Sequence, residues 1–417
     1  MEEEQERQEI EAAYARHDWR AVARLAERII LRYWPDCTAP GLARVYYYAA
    51  MSLVMQQRTD EESLSLASWW IAQALSLPQS PVGEMLLSRV LGDVNASRRD
   101  YVAAREALLR CLRAFDRISL PPGDALMREM KAGALMALAH AEGYLGDNAA
   151  GRDHYLAAAG LFCDLPQRYA AYSSALHSEH FCASGDCDGV EAMNELHRGV
   201  NALFAGIEPL PALTAAALRK RRHRRLRIGY LSGDFRQHVM YSFSIGLLRG
   251  HDAQRFELFA YSLGPVHDGC TEAVAAAVDH FVDLGNQAGD YLSVAQRVRE
   301  DEIDILVDLS GHCALSGLPV LAYRPAPVQL SGIGYIHATG MDAVDGFLAD
   351  SYTAPWAYLS DWDALHEQPM RLRSQFCYVR EEALPRPDVA SRRRNGAITW
   401  GVFNRYEKIT DDMIGDW

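Results

Sequence analysis

The chain has 417 residues, enough for about two to four domains, and its 49% apolar and 23% charged residues are typical of a folded globular protein. Its 42 basic and 55 acidic residues give a net charge of −13, which argues against nonspecific nucleic-acid binding. The sequence contains neither a signal-peptide pattern at its start nor an apolar run of about 18 residues. We therefore expect a cytoplasmic protein without nucleic-acid or membrane partners.

Residues 1–205 have the apolar spacing of helices. Helix pairs are predicted at 43–57 with 62–77, 83–99 with 101–115, and 127–144 with 149–162. Their spacing resembles that of a degenerate helical repeat, longer than a tetratricopeptide unit. Such a region either offers a curved surface to a partner protein or simply packs on the rest of the chain, and the sequence favours neither.

Residues 206–225 read as a linker that ends in a basic run, 219–225. Basic runs of this length occur in nucleic-acid and targeting segments, but in an acidic chain a solvated boundary segment is the simpler interpretation.

After residue 225, short apolar strands alternate with helices. Strands are predicted at 226–231, 256–262, 280–284, 303–309, 328–331 and 346–349, and helices at 241–249, 270–277, 290–300 and 315–323. This alternation predicts a doubly wound parallel sheet with Rossmann-like topology, in which ligands bind beyond the carboxyl ends of the strands.

Three predicted strand ends carry polar loops. His238 follows the first strand and is a candidate base or hydrogen-bond donor, although a structural loop histidine is the commoner case. Asp308 could orient His312 after the fourth strand, and Asp301, which precedes that strand, reads as a helix end. Gly334 and Tyr335 follow the fifth strand in a glycine-containing loop that a ligand can approach closely.

Simple catalytic templates are absent from the sequence. It contains no P-loop, no His-Glu-x-x-His and no Gly-x-Ser-x-Gly, and its eight cysteines include no Cys-x-x-Cys pair. The cysteine usage is that of reduced thiols, and no metal site is predicted.

Four ordered segments, 226–238, 303–312, 323–329 and 334–335, resemble the catalytic region of the O-linked N-acetylglucosamine transferase (SPINDLY-like) family. The resemblance implies tetratricopeptide repeats before a two-lobed GT-B glycosyltransferase. Residues 226–395 would be its first, Rossmann-like lobe, and 396–417 would open a second lobe that we expect to be incomplete.

The resemblance also implies roles for individual residues. His238 matches an active-site histidine, Asp301 an acidic residue near the site, and His312 the histidine of a Gly-His-Thr motif. Lys408 matches a lysine that contacts the donor diphosphate. Further donor-binding positions are implied for a set of four residues: Gly334, Tyr335, Asn404 and Arg405.

The segment 334–340 departs from the family's usual Gly-Tyr-Pro-Gly-Thr-Ser/Thr-Gly, because Ile336 and His337 replace Pro-Gly. The implied activity is transfer of N-acetylglucosamine from UDP-N-acetylglucosamine to a protein Ser or Thr, without a metal or other cofactor, on an acceptor held along the helical repeats. Two alternatives stay open: a related transferase that uses another UDP-hexose, and a non-catalytic helical-repeat interaction protein.

Overall fold

The computed structural model describes residues 2–33, 41–56, 60–119, 123–182, 187–221, 223–287, 289–353, 367–375, 378, 401–403, 408–409 and 411–417. The chain divides into two compact units, Met1–Ala171 and Tyr172–Trp417. The first is helical in its described residues, and the second contains a parallel sheet. The predicted fold class, helical region followed by a Rossmann-like α/β lobe, is confirmed.

Eight helices lie within the described residues of the first unit, and a ninth, α9 (Leu165–Glu179), crosses into the second. The eight are α1 (Glu2–Ala15), α2 (Trp19–Tyr33), α3 (Leu42–Met55), α4 (Glu61–Ser76), α5 (Pro81–Ser97), α6 (Tyr101–Phe115), α7 (Ala125–Tyr144) and α8 (Asn148–Leu161). The three predicted helix pairs are present, with ends that shift by at most two residues.

Side-chain caps explain where these helices begin. Asp60, Ser80, Asp100, Asp124 and Asp147 each precede a helix, and each accepts a hydrogen bond from the backbone N–H three residues later. A cap of this kind satisfies one of the backbone donors left free in the first helical turn. Short polar caps between apolar periodic segments therefore divide this unit into helices of 14–20 residues.

The second unit is built on a seven-stranded sheet in the order β3-β2-β1-β4-β5-β6-β7, with every neighbouring pair parallel. The strands are β1 (Leu226–Ser232), β2 (Phe256–Ser262), β3 (His280–Asp283), β4 (Ile305–Asp308), β5 (Val328–Gly332), β6 (Gly346–Ala349) and β7 (Gln368–Arg371). The order runs outward in both directions from β1 and β4, so the switch point of the topology lies between them.

The described helices of the second unit precede the sheet, connect its strands or follow its last strand. They are α10 (Cys187–Arg198), α11 (Asn201–Phe204), α12 (Ala215–Lys220), α13 (Val239–Arg249), α14 (Gly269–Ala275), α15 (Tyr291–Glu300), α16 (Leu318–Leu321) and α17 (Asp411–Asp416), with a 3₁₀ turn at Gly285–Gln287. A core cluster that includes Ile228, Leu258, Val307 and Leu330 draws its side chains from four adjacent strands.

Strand β7 was not predicted. Its sequence, Gln-Pro-Met-Arg, lacks the apolar run of a buried strand, and its residues are exposed or half-buried. It lies at the edge of the described sheet, where a proline that cannot donate a ladder hydrogen bond is tolerated. Hydrophobic periodicity therefore carries no signal for it.

The second unit begins at Tyr172, upstream of the predicted boundary at residue 205. Helices α10 and α11 belong to the same unit as the sheet, although their sequence reads as a continuation of the helical region. Asn201 shows the reason: its side-chain amide donates to the Gly340 carbonyl at 2.8 Å and accepts from the Asp342 backbone N–H at 3.0 Å.

The basic segment before β1 is not simply solvated, which corrects the prediction for 219–225. Arg221 is buried and donates to Asp304 Oδ1 at 2.7 Å, and His223 Nε2 contacts Asp304 Oδ2 at 2.9 Å. The Arg227 backbone N–H donates to the same carboxylate. Although burial raises the pKa of Asp304, these hydrogen bonds outweigh it and hold that pKa below its ordinary value.

No helix within the described ranges is long and apolar enough to cross a membrane.

The Asp304 contacts predict a stability defect. We expect Asp304→Asn to destabilise the second unit by about 3 kcal/mol, because the buried Arg221 guanidinium would lose its counter-charge. Urea unfolding followed by circular dichroism measures the change. The matched control is Asp153→Asn, which removes an exposed carboxylate paired with Arg152 and should change stability by less than about 0.5 kcal/mol. Equal effects of the two substitutions would contradict this interpretation of the basic segment.

Candidate functional site

The loops that follow β1, β4 and β5 pack against one another at the carboxyl edge of the sheet. The Gly334 backbone N–H donates to the Leu309 carbonyl at 3.1 Å, joining the β5 loop to the β4 loop. A Cβ atom at Gly334 would lie 2.3 Å from that carbonyl oxygen and 3.0 Å from Met240 Sδ, in the first turn of α13. Glycine is therefore required at position 334 for the three loops to meet.

His238 is the N-cap residue of α13. Its Nδ1 accepts the Met240 backbone N–H at 3.3 Å and lies 3.5 Å from Asp234 Oδ2. With Nδ1 as an acceptor, the neutral ring carries its proton on Nε2. The side chain is 37% exposed, so the site offers a hydrogen-bond donor at a helix N-terminus, where the helix dipole favours an oxygen that carries negative charge.

Asp234 holds this loop together. Its carboxylate is largely buried and pairs with the Arg236 guanidinium at 3.0 Å. In the other neutral tautomer, Nδ1 carries the hydrogen and faces the Asp234 carboxylate as a donor, and Nε2 is then a hydrogen-bond acceptor. The arrangement therefore allows either a donor or an acceptor at Nε2.

His312 and Tyr335 are both buried, with exposures of 1% and 2%. His312 Nε2 donates to the Thr339 carbonyl at 2.7 Å, and its ring lies edge-on to Tyr335 at 5.3 Å between centroids. The predicted role of these two side chains in direct donor binding is not supported by this burial. They hold the β4 and β5 loops in place instead.

The Tyr335 hydroxyl lies between two histidines that precede the sheet in the sequence: His180, directly after α9, and His197, in α10. Its distances are 2.8 Å to His180 Nε2 and 2.9 Å to His197 Nε2. His197 Nδ1 donates to the Met193 carbonyl at 2.7 Å, so Nε2 of that ring is an acceptor and accepts the hydrogen bond of the tyrosine O–H. The tyrosine oxygen then accepts the N–H of His180, and one tautomer of each ring satisfies the whole chain.

His337 completes a cluster of four histidines with His180, His197 and His312. Its ring stacks on His197 at 4.1 Å between centroids. Burial lowers the pKa of every member: that of His180 to about 3, that of His312 to about 4, and those of His197 and His337 in the same direction. Neighbouring imidazoles lower the pKa values of His180, His312 and His197 further. The cluster is therefore neutral at physiological pH.

Two buried carboxyl groups lie beside these loops. Glu367 Oε1 accepts from the Thr339 hydroxyl and the Gly340 backbone N–H, each at 2.6 Å, and burial raises the pKa of Glu367 to about 7. Burial likewise raises the pKa of Asp308 to about 6.

Gly340 has a φ of 74°, and a Cβ there would lie 2.4 Å from the His197 carbonyl carbon, so only glycine fits.

Asp308 does not orient His312, so that prediction is wrong. Its Oδ2 accepts from the Gly311 backbone N–H at 2.7 Å and from the Ser331 hydroxyl at 2.8 Å. These bonds fix the start of the β4 loop rather than an imidazole.

Asp301 lies near the amino ends of the strands, whereas His238 lies near their carboxyl ends. It is the C-cap residue of α15, before β4, and its carboxylate accepts from Tyr261 Oη at 2.8 Å and Arg297 Nε at 2.9 Å. The interpretation from the residues, a helix end, agrees with this placement. The catalytic role implied by resemblance is not supported, because the amino ends of parallel strands face away from the loops at their carboxyl ends.

The remaining implied residues lie near the end of the chain. Lys408 is exposed, and the hydrogen bonds that join the histidine cluster do not include it. Asn404 and Arg405 lie outside the described residues, so their predicted donor contacts stay predictions. The described part of the chain contains no group of three or more His, Cys, Asp or Glu side chains that could hold a metal ion.

Residues 211–367 match the family model of glycosyl transferase family 41. The rice protein "Probable UDP-N-acetylglucosamine--peptide N-acetylglucosaminyltransferase SPINDLY" is 34% identical over an alignment of 209 residues, and the match covers 46% of this chain and 21% of the relative. A UDP-N-acetylglucosamine--peptide N-acetylglucosaminyltransferase of Caenorhabditis elegans is 34% identical over 133 residues, 31% of this chain and 11% of the relative. The chain spans about a fifth of the length of the plant relatives that it matches.

A solved structure of a Thermobaculum terrenum O-GlcNAc transferase mutant has the same fold. The similarity has a TM-score of 0.57 at 24% identity, and it covers 81% of this chain and 59% of that protein.

The buried histidines predict how stability depends on pH. Between pH 6.5 and its folded pKa of about 3, His180 takes up a proton in the unfolded chain but not in the folded one, so stability falls as pH falls. Asp308 and Glu367, whose pKa values are raised, have the opposite effect: their contribution to stability falls as pH rises. Because His180→Gln retains an N–H donor without titrating, we expect this variant to gain about 2 kcal/mol relative to wild type between pH 8 and pH 5.

Urea unfolding of both proteins at the two pH values measures this difference, and the other titrating groups cancel in the comparison. Parallel pH dependences of wild type and variant would contradict a lowered pKa for His180 in the folded protein.

Proposed function

Since the chain carries a glycosyl transferase family 41 domain over residues 211–367, we propose that it transfers N-acetylglucosamine from UDP-N-acetylglucosamine to a Ser or Thr hydroxyl of a protein. The observation that carries the proposal is the coincidence of this domain with a half-exposed histidine, His238, at the carboxyl edge of its sheet. The names of the relatives support the donor and the peptide acceptor.

In the proposed reaction a bond forms between the anomeric carbon of the sugar and the acceptor oxygen. The bond from that carbon to the diphosphate breaks, UDP leaves with the electron pair, and the hydroxyl proton is released. Negative charge grows on the leaving diphosphate, so fixed donors and cations close to it lower the barrier. Catalysis therefore requires a donor set for the diphosphate and a group that orients the hydroxyl.

His238 is proposed to orient the acceptor or the sugar through Nε2. Its position at the N-terminus of α13 supports contact with an electron-rich oxygen, and its link to Asp234 supports an exchange between donor and acceptor states. Lys408 is proposed to neutralise the diphosphate, and its exposure leaves the ammonium group accessible.

The acceptor protein is proposed to bind along the helices of the first unit, whose repeated helix pairs are of the kind that form extended binding surfaces. The proposal places the reaction in the cytoplasm, and the free thiols among the described cysteines support a reducing compartment. N-acetylglucosamine as the transferred sugar is also part of the proposal. Ile336 and His337 change the sequence of the turn 334–340, so a related UDP-hexose is the alternative donor.

We expect His238→Ala to lower the transfer rate by about 100-fold, the cost typical of removing one acid–base or charge-stabilising group. The assay uses the 417-residue chain, radiolabelled UDP-N-acetylglucosamine and a Ser/Thr-containing protein acceptor. His280→Ala is the matched control, since it removes another half-exposed histidine, on β3, and should leave the rate unchanged. Absence of transfer by the wild-type chain, from this donor and from a panel of other UDP-sugars, would overturn the proposal.

A second expectation concerns metals. We propose that the leaving diphosphate is stabilised by side chains and backbone N–H groups alone, so a chelator should change the transfer rate by less than about twofold. The rate is measured with EDTA and again after addition of Mg²⁺ or Mn²⁺. Loss of transfer in EDTA, restored by either ion, would refute this part of the proposal.

A further inference from the structure

The turn 334–340 is held by residues that lie far from it in the sequence. The Gly334 backbone is fixed to Leu309, and Thr339 is bonded to both His312 and Glu367. Between these two ends, the buried Tyr335 and the half-buried His337 pack against His180 and His197. Ile336, which lies between Tyr335 and His337, is 72% exposed.

We infer that Tyr335 is a positioning residue of the site: held by His180 and His197, it sets the conformation of the turn 334–340. This inference rests on the proposed function, since the turn is positioned for the transfer reaction. It also assigns a role in that reaction to α10 and to the residue that follows α9, although neither was predicted to be catalytic or donor-binding.

The hydrogen-bond inventory of the phenol supports an indirect role. A tyrosine hydroxyl has one proton to donate, and here that proton goes to His197 Nε2, while the oxygen accepts the N–H of His180. With both functions used and 2% of the residue exposed, the hydroxyl has little capacity for a bound ligand. Its influence on a ligand must therefore pass through the turn.

Each hydrogen bond around the Tyr335 hydroxyl has one defined donor and one defined acceptor. The Met193 carbonyl fixes the tautomer of His197, and that tautomer determines which histidine receives the tyrosine proton. Removal of the hydroxyl would leave the buried acceptor nitrogen of His197 and the donor N–H of the half-buried His180 without this partner, and an unpaired buried acceptor is costly. The rings would then shift, and His337, stacked on His197, would move with them.

The test compares Tyr335→Phe with His180→Leu and His180→Gln. Tyr335→Phe deletes the hydroxyl, His180→Leu deletes the donor to it, and His180→Gln keeps an N–H donor at a similar reach. Tyr352→Phe is the matched control, because Tyr352 is 88% exposed and follows β6. Each protein is assayed for kcat and for the KM of UDP-N-acetylglucosamine, and hydrogen exchange is measured at the amides of 334–340 and of β1.

We expect Tyr335→Phe and His180→Leu to lower kcat by about tenfold or more, as misplaced positioning groups do, while the KM changes by less than about threefold. Exchange should accelerate in the turn but not in β1. His180→Gln should restore most of the rate lost in His180→Leu, and Tyr352→Phe should behave as wild type. A structural role alone would change stability without this difference between kcat and KM.

Three results would overturn the inference: unchanged kcat in both Tyr335→Phe and His180→Leu, a raised KM with kcat preserved, or faster exchange in the turn without loss of rate. If Tyr335→Phe does not fold, the two His180 variants decide the question. If the wild-type chain shows no transfer, the proposed function fails, whereas the exchange data still decide whether Tyr335 sets the turn.

Discussion

The hydrogen bonds of one buried hydroxyl, that of Tyr335, organise the carboxyl edge of the sheet. They join the β5 loop to His197 in α10 and to His180, the residue that follows α9. A buried polar group must find partners, and here the partners are imidazoles, which also supply stacking surface for His337. Hydrogen bonds to the buried hydroxyl and packing of the rings therefore fix the position of the loop together. His238, after β1, stays half-exposed.

Apolar patterning was sufficient to predict most of the fold. Strands β1, β2 and β6 lie within one residue of their predicted ends, because buried parallel strands are short continuous apolar runs bounded by polar loops. Strand β7 was missed because an edge strand needs no such run. The unit boundary was misplaced because α10 has ordinary helical periodicity, and nothing local distinguishes a helix that packs on a sheet from one that continues a repeat.

The candidate site was predicted less completely, for a physical reason. His238, His312 and Tyr335 were found because they follow strands, whose carboxyl ends must converge. His180 and His197 were missed because their partner Tyr335 lies 155 and 138 positions away in the sequence, and such pairing leaves no periodic signal. Asp301 was predicted from the local sequence to end a helix, and it does cap α15. Helix capping depends on neighbouring residues alone, so the sequence can predict it, whereas a catalytic role depends on distant parts of the fold.

The residues from Ser173 to Asn201 also decide which fragment of this protein would keep the contacts of its sheet loops. A piece cut at residue 206, where the composition changes, would keep every strand but lose the imidazoles that satisfy Tyr335 and the amide of Asn201 that ties down Gly340. A piece that begins upstream of Ser173, whose hydroxyl donates to the His312 carbonyl at 2.8 Å, would keep all of them. Compositional change and physical autonomy therefore fall at different places along this chain.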